Sequence, residues 1–316
     1  MRFLLTFTAF LFISVSTFGQ TTRVVGQVVD AVTLEPLPYA NIVLEEEKRG
    51  ISADKEGRYF FVVKEISDNA KLKFSYVGYQ SQYLHLKDLK GKVVKLKPSV
   101  DHLAEVRLFN IKNRKTKRIN NFVFAEPVGL GNFSGGQYPS TVARFYEKPD
   151  KFEKACFLKQ VEVLYFNVKE TLSSSAKYRL RIMAVNGDGK PSYDLLDNGL
   201  IIEKEPNQHH TKIDLLAYKI RVPDEGFFVA VEHLFIEENA FLEKKDYLVN
   251  DTIVFRDVEL RKYAPIFKGV LEKDDEDFKS YYKDINGWQK MNSLDNSNKI
   301  FSGKLPAPAF KIILTD

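Results

Sequence analysis

The fold is constrained most by a series of short strand-like runs, separated by turn residues, between residues 22 and 108. The run at 70–76 alternates strictly between apolar residues and Lys or Ser. Gly78 ends it, and a second alternating run follows at 79–86. Because side chains of a strand point to opposite faces in turn, an alternation of this kind predicts a strand with one side in a core.

Seven or eight such runs occupy this region, and Pro or Gly residues close most of them. This spacing is typical of an all-β sandwich, because each strand must turn back after a few residues to cover the same core. The runs lie at 23–30, 39–44, 51–53, 58–63, 70–76, 79–86, 93–98 and 103–108.

Four motifs in this region stand in a distinctive order. They are Gly26-Gln27-Val28-Val29-Asp30 followed by residues 35–42, then residues 54–59, then Phe74-Ser75-Tyr76-Val77-Gly78-Tyr79, then Leu103-Ala104-Glu105-Val106. Together they resemble the carboxypeptidase regulatory-like domain, over residues 22–108. The resemblance implies a seven-stranded, transthyretin-like Greek-key sandwich without catalytic residues of its own. It also implies an exported two-domain protein of the kind found in Gram-negative bacteria.

The first nineteen residues form a separate segment. Met1 and Arg2 precede an apolar run that ends in small residues before Gln20. This order is typical of a secretory signal peptide, and the run is too short for a transmembrane helix. We therefore predict a signal peptide at 1–19 and a mature chain without a membrane span. The chain should be exported to the periplasm, the outer-membrane surface or the medium.

Downstream of the first sandwich, the sequence predicts a connector and a second β domain. Residues 109–141 contain a basic stretch and a glycine-containing segment, which we interpret as a linker and a loop packed over the second domain. The basic stretch could also contact an anionic lipid or glycan. Residues 142–316 again show strand patterns and no sustained helical period, which favours a second, jelly-roll-like β-sandwich.

Charge and cysteine content exclude several classes of protein. The 47 basic residues nearly balance the 42 acidic ones, so the chain lacks the global positive field of a nucleic-acid-binding protein. Cys156 is the only cysteine, which excludes an intramolecular disulfide and a multi-cysteine metal site. Its apolar neighbours indicate a small buried side chain rather than a reactive thiol.

No arrangement of residues predicts catalysis or metal binding. His102 and Glu105 have the spacing of a zinc-binding pair, but residues three apart on a strand point to opposite faces. His209 and His210 lack nearby carboxylates at ligand spacing, and His233 stands beside Glu232 on a strand, where adjacent residues point apart. The aspartates at 188, 194 and 197 lie in polar turns. We therefore predict no catalytic residue, no metal site and no cofactor.

Three hypotheses of function follow. The first is a non-catalytic envelope or surface protein that acts as an interaction or accessory module for an envelope protein. The second is a carbohydrate-binding protein of the cell surface, in which Tyr281, Tyr282 and Trp288 stack on sugar rings. The third is a hydrolase with an unrecognised site in the second domain. The sequence alone does not decide among them.

Overall fold

The computed structural model describes residues 21–99 and 111–316, except 65, 68, 90, 121, 123, 124, 153, 154, 250, 251, 274, 276–278, 292–300 and 302. The predicted signal peptide at 1–19 and the strand candidate at 103–108 lie outside the described residues. Helices in the described part of the chain are only a turn or so long, and none has the length and apolar character needed to cross a membrane.

The first sandwich consists of two sheets. One has the order β4-β1-β7, with β1 antiparallel to β4 and parallel to β7, and the other has the order β3-β2-β5-β6. The all-β sandwich prediction is confirmed. The strands are β1 Thr21–Asp30, β2 Asn41–Leu44, β3 Arg49–Ser52, β4 Arg58–Lys64, β5 Lys71–Ser75, β6 Gln82–His85 and β7 Val93–Leu96, with a 3₁₀ helix at Leu86–Asp88.

The aromatic motif around Gly78 contributes a core side chain and a hydrogen bond to this sandwich. Phe74 is fully buried in the core, as the alternation predicts. Gly78 has a φ of +79°, which a residue with a side chain rarely adopts. After this turn, Tyr79 reaches β1 of the other sheet. There the Tyr79 hydroxyl donates a 2.6 Å hydrogen bond to Asp30. This bond, followed by those from the backbone N–H groups of Thr33 and Val32, lowers the pKa of Asp30.

The second sandwich begins before the predicted boundary and contains most of the remaining strands. They are β8 Thr116–Ile119, β9 Pro127–Leu130, β10 Thr141–Tyr146, β11 Phe157–Leu164, β12 Ala176–Val185, β13 Pro191–Asp194, β14 Leu200–Lys204, β15 His210–Asp214, β16 Phe227–His233, β17 Ala240–Val249, β18 Thr252–Tyr263, β19 Phe267–Lys273, β20 Ser280–Asp284, β21 Gly287–Lys290, β22 Lys304–Pro308 and β23 Phe310–Thr315. Its helices are α1 Lys169–Leu172 and 3₁₀ helices at Leu216–Tyr218 and Glu237–Asn239.

Two layers of sheet enclose its core. A seven-stranded sheet has the order β13-β12-β16-β10-β20-β21, with β14 added to β12. The other layer contains the sheets β15-β11-β23-β8 and β22-β19-β9. Apolar side chains from both layers form one cluster, including Tyr178 and Val229 from the first and Val161 and Ile312 from the second. The strands β17 and β18 form a separate two-stranded hairpin.

The stretch interpreted as a linker and loop, residues 109–141, contributes strands to this second sandwich. β8 pairs with β23, and β9 pairs with β19. Just before β8, the carboxylate of Asp316 accepts hydrogen bonds from the backbone N–H groups of Arg114 and Lys115. The side chains at 116–118 are exposed, so the basic residues lie along a charged edge strand. Lys and Arg at an edge discourage pairing with foreign strands.

A buried lysine closes the C-terminal end of α1. Lys204 is 1% exposed, and its ammonium lies 3.1–3.5 Å from four backbone carbonyl oxygens, those of Thr171, Leu172, Ser174 and Glu205. Helix ends leave such carbonyls without partners, and a cation there is favourable. Burial nevertheless lowers the pKa of Lys204.

Replacement of this lysine should destabilise the fold. In Lys204→Met the apolar stem remains, but the buried carbonyl oxygens lose their donor, so we expect the free energy of unfolding to fall by about 2 kcal/mol. Urea denaturation followed by circular dichroism measures the change. Lys212→Met, at an exposed position of the next strand in the sequence, β15, is the matched control. Its free energy of unfolding should stay within about 0.5 kcal/mol of that of the parent. Equal losses in both variants would contradict a specific role for the Lys204 ammonium.

Candidate functional site

The seven-stranded sheet of the second sandwich has an outer face that points away from its own core. Part of that face is apolar and contains Ala143, Met183, Phe228 and Ala230, packed with Tyr281. The neighbouring part, toward the first sandwich, is charged. Its side chains are Arg179, Arg181, Asp194, Glu232 and Lys283.

The charged part is an ion-pair network around Glu232, which is 3% exposed. Arg179 lies 3.2 Å from one carboxylate oxygen of Glu232, and Arg181 lies 3.9 Å from the other. Arg181 also donates two hydrogen bonds, of 2.9 and 2.6 Å, to the two oxygens of Asp194. Two guanidinium groups and two carboxylates therefore compensate one another in a region that water hardly reaches.

The pKa values reflect this pairing. Burial would raise the pKa of Glu232, but the opposing attraction of Arg179 and Arg181, with a hydrogen bond from Asn41, lowers it below its ordinary value. Burial would lower the pKa of Arg181, yet the ion pair and hydrogen bonds with Asp194 raise it. Glu232 is therefore an anion at neutral pH, and it is not poised to exchange protons.

The first sandwich docks onto this network. The Asn41 side-chain amide donates a 2.6 Å hydrogen bond to Glu232. Arg179 donates to the backbone oxygens of Pro38 and Tyr39, at 3.1 and 3.2 Å, and its guanidinium lies 4.8 Å from the centre of the Tyr76 ring. A cation over an aromatic face is a further favourable contact. The buried charges are thus completed by groups from both sandwiches.

Backbone contacts extend the junction. The N–H of Ser52 donates to the carbonyl of Phe235, and the N–H of Phe235 donates to the Ser52 hydroxyl, both at 3.0 Å. The N–H of Gly50 donates to the carbonyl of Gln137 at 2.8 Å. Apolar contacts add to these bonds, because Tyr39 forms a buried cluster with residues 234 and 236. The free edge of β3 is thereby covered by the second sandwich.

Lys283 and Trp288 lie beside the network and reach solvent. They are direct partners in the β20–β21 pair, and the Lys283 ammonium lies 5.8 Å from the centre of the indole ring. The side chain of Lys283 is exposed, yet partial loss of hydration and then the charge of Arg181 lower the pKa of its ammonium to about 8. Trp288 is half-buried. This pair joins an aromatic surface to a cation.

The three predicted ligand contacts lie in different environments. Tyr281 is on the outer face, 8% exposed, with its ring packed edge-on against Phe228. Tyr282 is on the other side of β20, where it packs against the core and stacks on Phe133 at 5.5 Å. Trp288 is on the outer face with Tyr281. The structure therefore brings Tyr281 and Trp288 together and separates Tyr282 from them.

Other reactive side chains are enclosed. Cys156 is fully buried, and burial raises the pKa of its thiol to about 12. His233 is also fully buried, with its ring packed against Phe267, and neither ring nitrogen has a hydrogen-bond partner of good geometry among the described residues. In the described part of the chain, no three His, Cys, Asp or Glu side chains converge as metal ligands would.

The geometry of the first sandwich agrees with a comparison of its sequence with protein families. Residues 24–108 match the CarboxypepD_reg-like domain. No curated protein matches the chain. A solved structure of the cysteine protease and lectin-like domains of Cwp84, a surface layer associated protein of Clostridium difficile, aligns with 60% of this chain at 13% identity and a TM-score of 0.31. The aligned part is 36% of that chain.

The CarboxypepD_reg-like domain supplies more than its own fold. The segment 35–42, one of its sequence motifs, provides the Pro38 and Tyr39 carbonyls and the Asn41 amide that complete the charged network. Tyr39 has a φ of +59°, an uncommon conformation for a residue with a side chain. In this chain, the motif therefore also forms the contact surface for the second sandwich.

Proposed function

We propose that the protein is a non-catalytic binding protein of the cell envelope. In this proposal the CarboxypepD_reg-like domain is an accessory module that braces the second sandwich, and the outer face of the second sandwich binds a saccharide. The observation that carries the proposal is the pairing of Trp288 with Lys283 at a solvent-reachable place beside the buried charges.

The chemistry of this place suits a sugar. An indole ring offers a flat apolar surface to the C–H face of a pyranose, and the neighbouring ammonium can donate hydrogen bonds to hydroxyl or carboxylate oxygens. Small-molecule sites usually combine an apolar surface with a few polar groups that fix orientation. Because Lys283 is a cation, the ligand class that fits best is a saccharide with a carboxylate group.

The absence of catalysis is also part of the proposal, and it rests on the state of the carboxylates. Glu232 lies between two arginines, and both oxygens of Asp194 accept bonds from Arg181. A general acid or base needs a group that can gain and lose a proton near neutral pH. The two arginines lower the pKa of Glu232 and keep it ionised, and Asp194 is held by its hydrogen bonds with Arg181, which supports a binding role over a hydrolytic one.

Export is proposed from the predicted signal peptide at 1–19. Expression of the full chain in a Gram-negative host, followed by fractionation and N-terminal sequencing, tests it. We expect the protein outside the cytoplasm with a new N-terminus at Gln20. Recovery of an uncleaved, cytoplasmic chain would contradict this part of the proposal without bearing on saccharide binding.

Saccharide binding can be tested with a glycan array that includes uronic acids and sialic acids. We expect saturable binding to one class, weakened about tenfold in Trp288→Ala, because a lost stacking contact costs about 0.5–1.5 kcal/mol beyond its buried area. Lys283→Gln should weaken binding of carboxylated sugars more than that of neutral ones.

Tyr218→Ala is the matched control, because Tyr218 is an aromatic side chain, 50% exposed, in a separate 3₁₀ helix. The saccharide affinity of Tyr218→Ala should equal that of the parent protein. No binding across the array, or binding that Trp288→Ala leaves unchanged, would refute the proposed site. Turnover of any bound sugar would instead support the hydrolase hypothesis.

A further inference from the structure

Strand β4 has an edge with open hydrogen-bonding positions. It pairs with β1 in a continuous register, and no second strand joins it among the described residues. The N–H of Val28 donates to the carbonyl of Gly57, which sets the phase of the alternating bonds between the two strands. In that phase the backbone groups of Arg58, Phe60 and Val62 point away from β1.

The backbone hydrogen bonds of Arg58 support this phase. The N–H of Arg58 donates to the Asp54 carboxylate, and its carbonyl accepts from the Asp54 N–H, both at 2.8 Å. Nothing in the described ranges pairs with the corresponding N–H and C=O groups of Phe60 and Val62. The edge therefore presents two successive open positions, each with one donor and one acceptor.

The side chains at this edge are apolar and exposed. Phe60 is 58% exposed, and its partner Val25 on β1 is 49% exposed. Natural proteins usually protect an edge strand with a proline, a bulge or a charge at its centre. The centre of β4 has none of these, and its charged residues, Arg58 and Lys64, stand at its two ends.

A cleft of about 1100 Å³ runs along this edge. One wall is β4, and the opposite wall belongs to the second sandwich, with residues 235–238, Arg261 and Tyr263. Hydrogen bonds from Gly50 and Ser52 to the second sandwich close the neighbouring edge of β3. The cleft thus leads to the open edge of β4, and its volume is slightly above the roughly 300–1,000 Å³ of ligand pockets.

We propose that β4 binds an extended peptide segment of a partner protein by strand addition in this cleft. The recognising chemistry is the row of open backbone groups, which matches the backbone of another strand. We favour a single segment over a whole second copy of this chain, because residues of the second sandwich line the cleft together with β4. A single extended segment needs only the width of one strand, about 5 Å.

Side chains of the cleft indicate the composition of that segment. Acidic and basic groups line it together: Glu47, Glu237 and Glu238 stand near Arg49 and Arg261, and Arg261 is paired with Glu237. No single charge sign prevails, so charge does not select the partner. Alternate apolar residues of the segment would cover Phe60 and Val25, whereas the residues between them would face the opposite side.

A displayed library of random octapeptides, selected against the chain from Gln20 onward, tests this proposal. We expect the enriched peptides to alternate apolar and polar residues. N-methylation of every second backbone nitrogen in a resynthesised peptide should abolish binding in one register and leave it intact in the other, because only one set of N–H groups faces β4.

Two variants connect this binding to β4. Val62→Pro removes an N–H that points away from β1, which an edge strand tolerates, and should weaken peptide binding at least tenfold. Phe60→Lys keeps every backbone group and should also weaken it, so that a folding defect in the proline variant leaves the proposal testable. Val93→Lys is the control, because Val93 is 47% exposed on β7 of the same sheet.

Several outcomes would overturn the proposal. One is the enrichment of peptides without alternation, and another is binding that survives both β4 variants. A third is a dimer of the chain that Val62→Pro dissociates, because it would assign the edge to a second copy. Saccharide binding should be the same in all three variants, so failure of this proposal and failure of the proposed function are distinguishable.

Discussion

In Glu232→Gln the free energy of unfolding should fall by about 3–5 kcal/mol. The substitution keeps the size of the side chain but removes the negative charge between Arg179 and Arg181, which are 0% and 8% exposed. Removing one partner of a buried ion pair leaves the other as an uncompensated charge, and the cost is of this size. Because Asn41 also donates to Glu232, the attachment of the first sandwich should weaken. Urea denaturation, followed by circular dichroism and by Trp288 fluorescence, measures both effects.

The matched control is a carboxylate of an exposed ion pair. Glu259 lies 3.7 Å from Lys244 in the β17–β18 hairpin, and the two side chains are 53% and 64% exposed. Glu259→Gln should cost less than about 1 kcal/mol, because solvent screens such a pair. Equal losses in Glu232→Gln and Glu259→Gln would mean that the network contributes no more than a surface contact.

A double substitution separates the charge from the shape of the network. Arg179→Met with Glu232→Leu removes one positive and one negative charge together and leaves Arg181 paired with Asp194. Its loss of stability should be smaller than the sum of the two single losses, because neither buried partner remains unpaired. Additive losses would show that the two groups do not depend on each other.

The sequence predicted the first sandwich well because its signals are local. The alternation at 70–76 and the turns around it need no knowledge of distant residues, and the structure has β5 at Lys71–Ser75. The sequence also indicated that Cys156 is buried, because its immediate neighbours are apolar. In these places a few adjacent residues determine both the strand and the face that it buries.

The charged network could not be predicted because its members are far apart in the sequence. Asn41 and Glu232 are 191 positions apart, and Arg179 contacts carbonyl groups about 140 positions away. Glu232 gives no sign in its neighbourhood that two arginines will surround it. Only the docking of the two sandwiches brings these groups together, and the backbone conformation at Tyr39 contributes to it.

Strands with weak apolar alternation were missed for a different reason. β8 is an edge strand with exposed basic side chains, so its sequence looks like a solvated connector. In the β17–β18 hairpin, Leu242 and Phe255 are exposed beside charged residues, because this hairpin belongs to neither layer of the sandwich. Alternation of apolar and polar residues arises because one face of a strand is buried. A strand without a buried face therefore gives no such pattern.

Acidification should destabilise the second sandwich through His233. Burial, which outweighs the nearby carbonyl oxygens of Ser140 and Pro265, lowers the pKa of His233 to about 4. An unfolded histidine has a pKa of about 6.5, so the unfolded chain binds the proton first as the pH falls. Stability is therefore fully present above about pH 6.5 and decreases toward pH 4. At pH 4.5 the loss from this residue should be about 2–3 kcal/mol, since each pKa unit is worth about 1.4 kcal/mol.

The variant His233→Leu isolates this effect from the titration of carboxylates. Leucine suits the apolar surroundings of Phe267 and cannot bind a proton, so the variant should lose less stability than the parent between pH 7 and pH 4.5. Urea midpoints at several pH values, read from the fluorescence of Trp288, give the two slopes. His210→Leu is the control, because it also removes one histidine but at an exposed position of β15. Parallel slopes for the parent and His233→Leu would mean that His233 takes up its proton without unfolding, and that the pH dependence arises elsewhere.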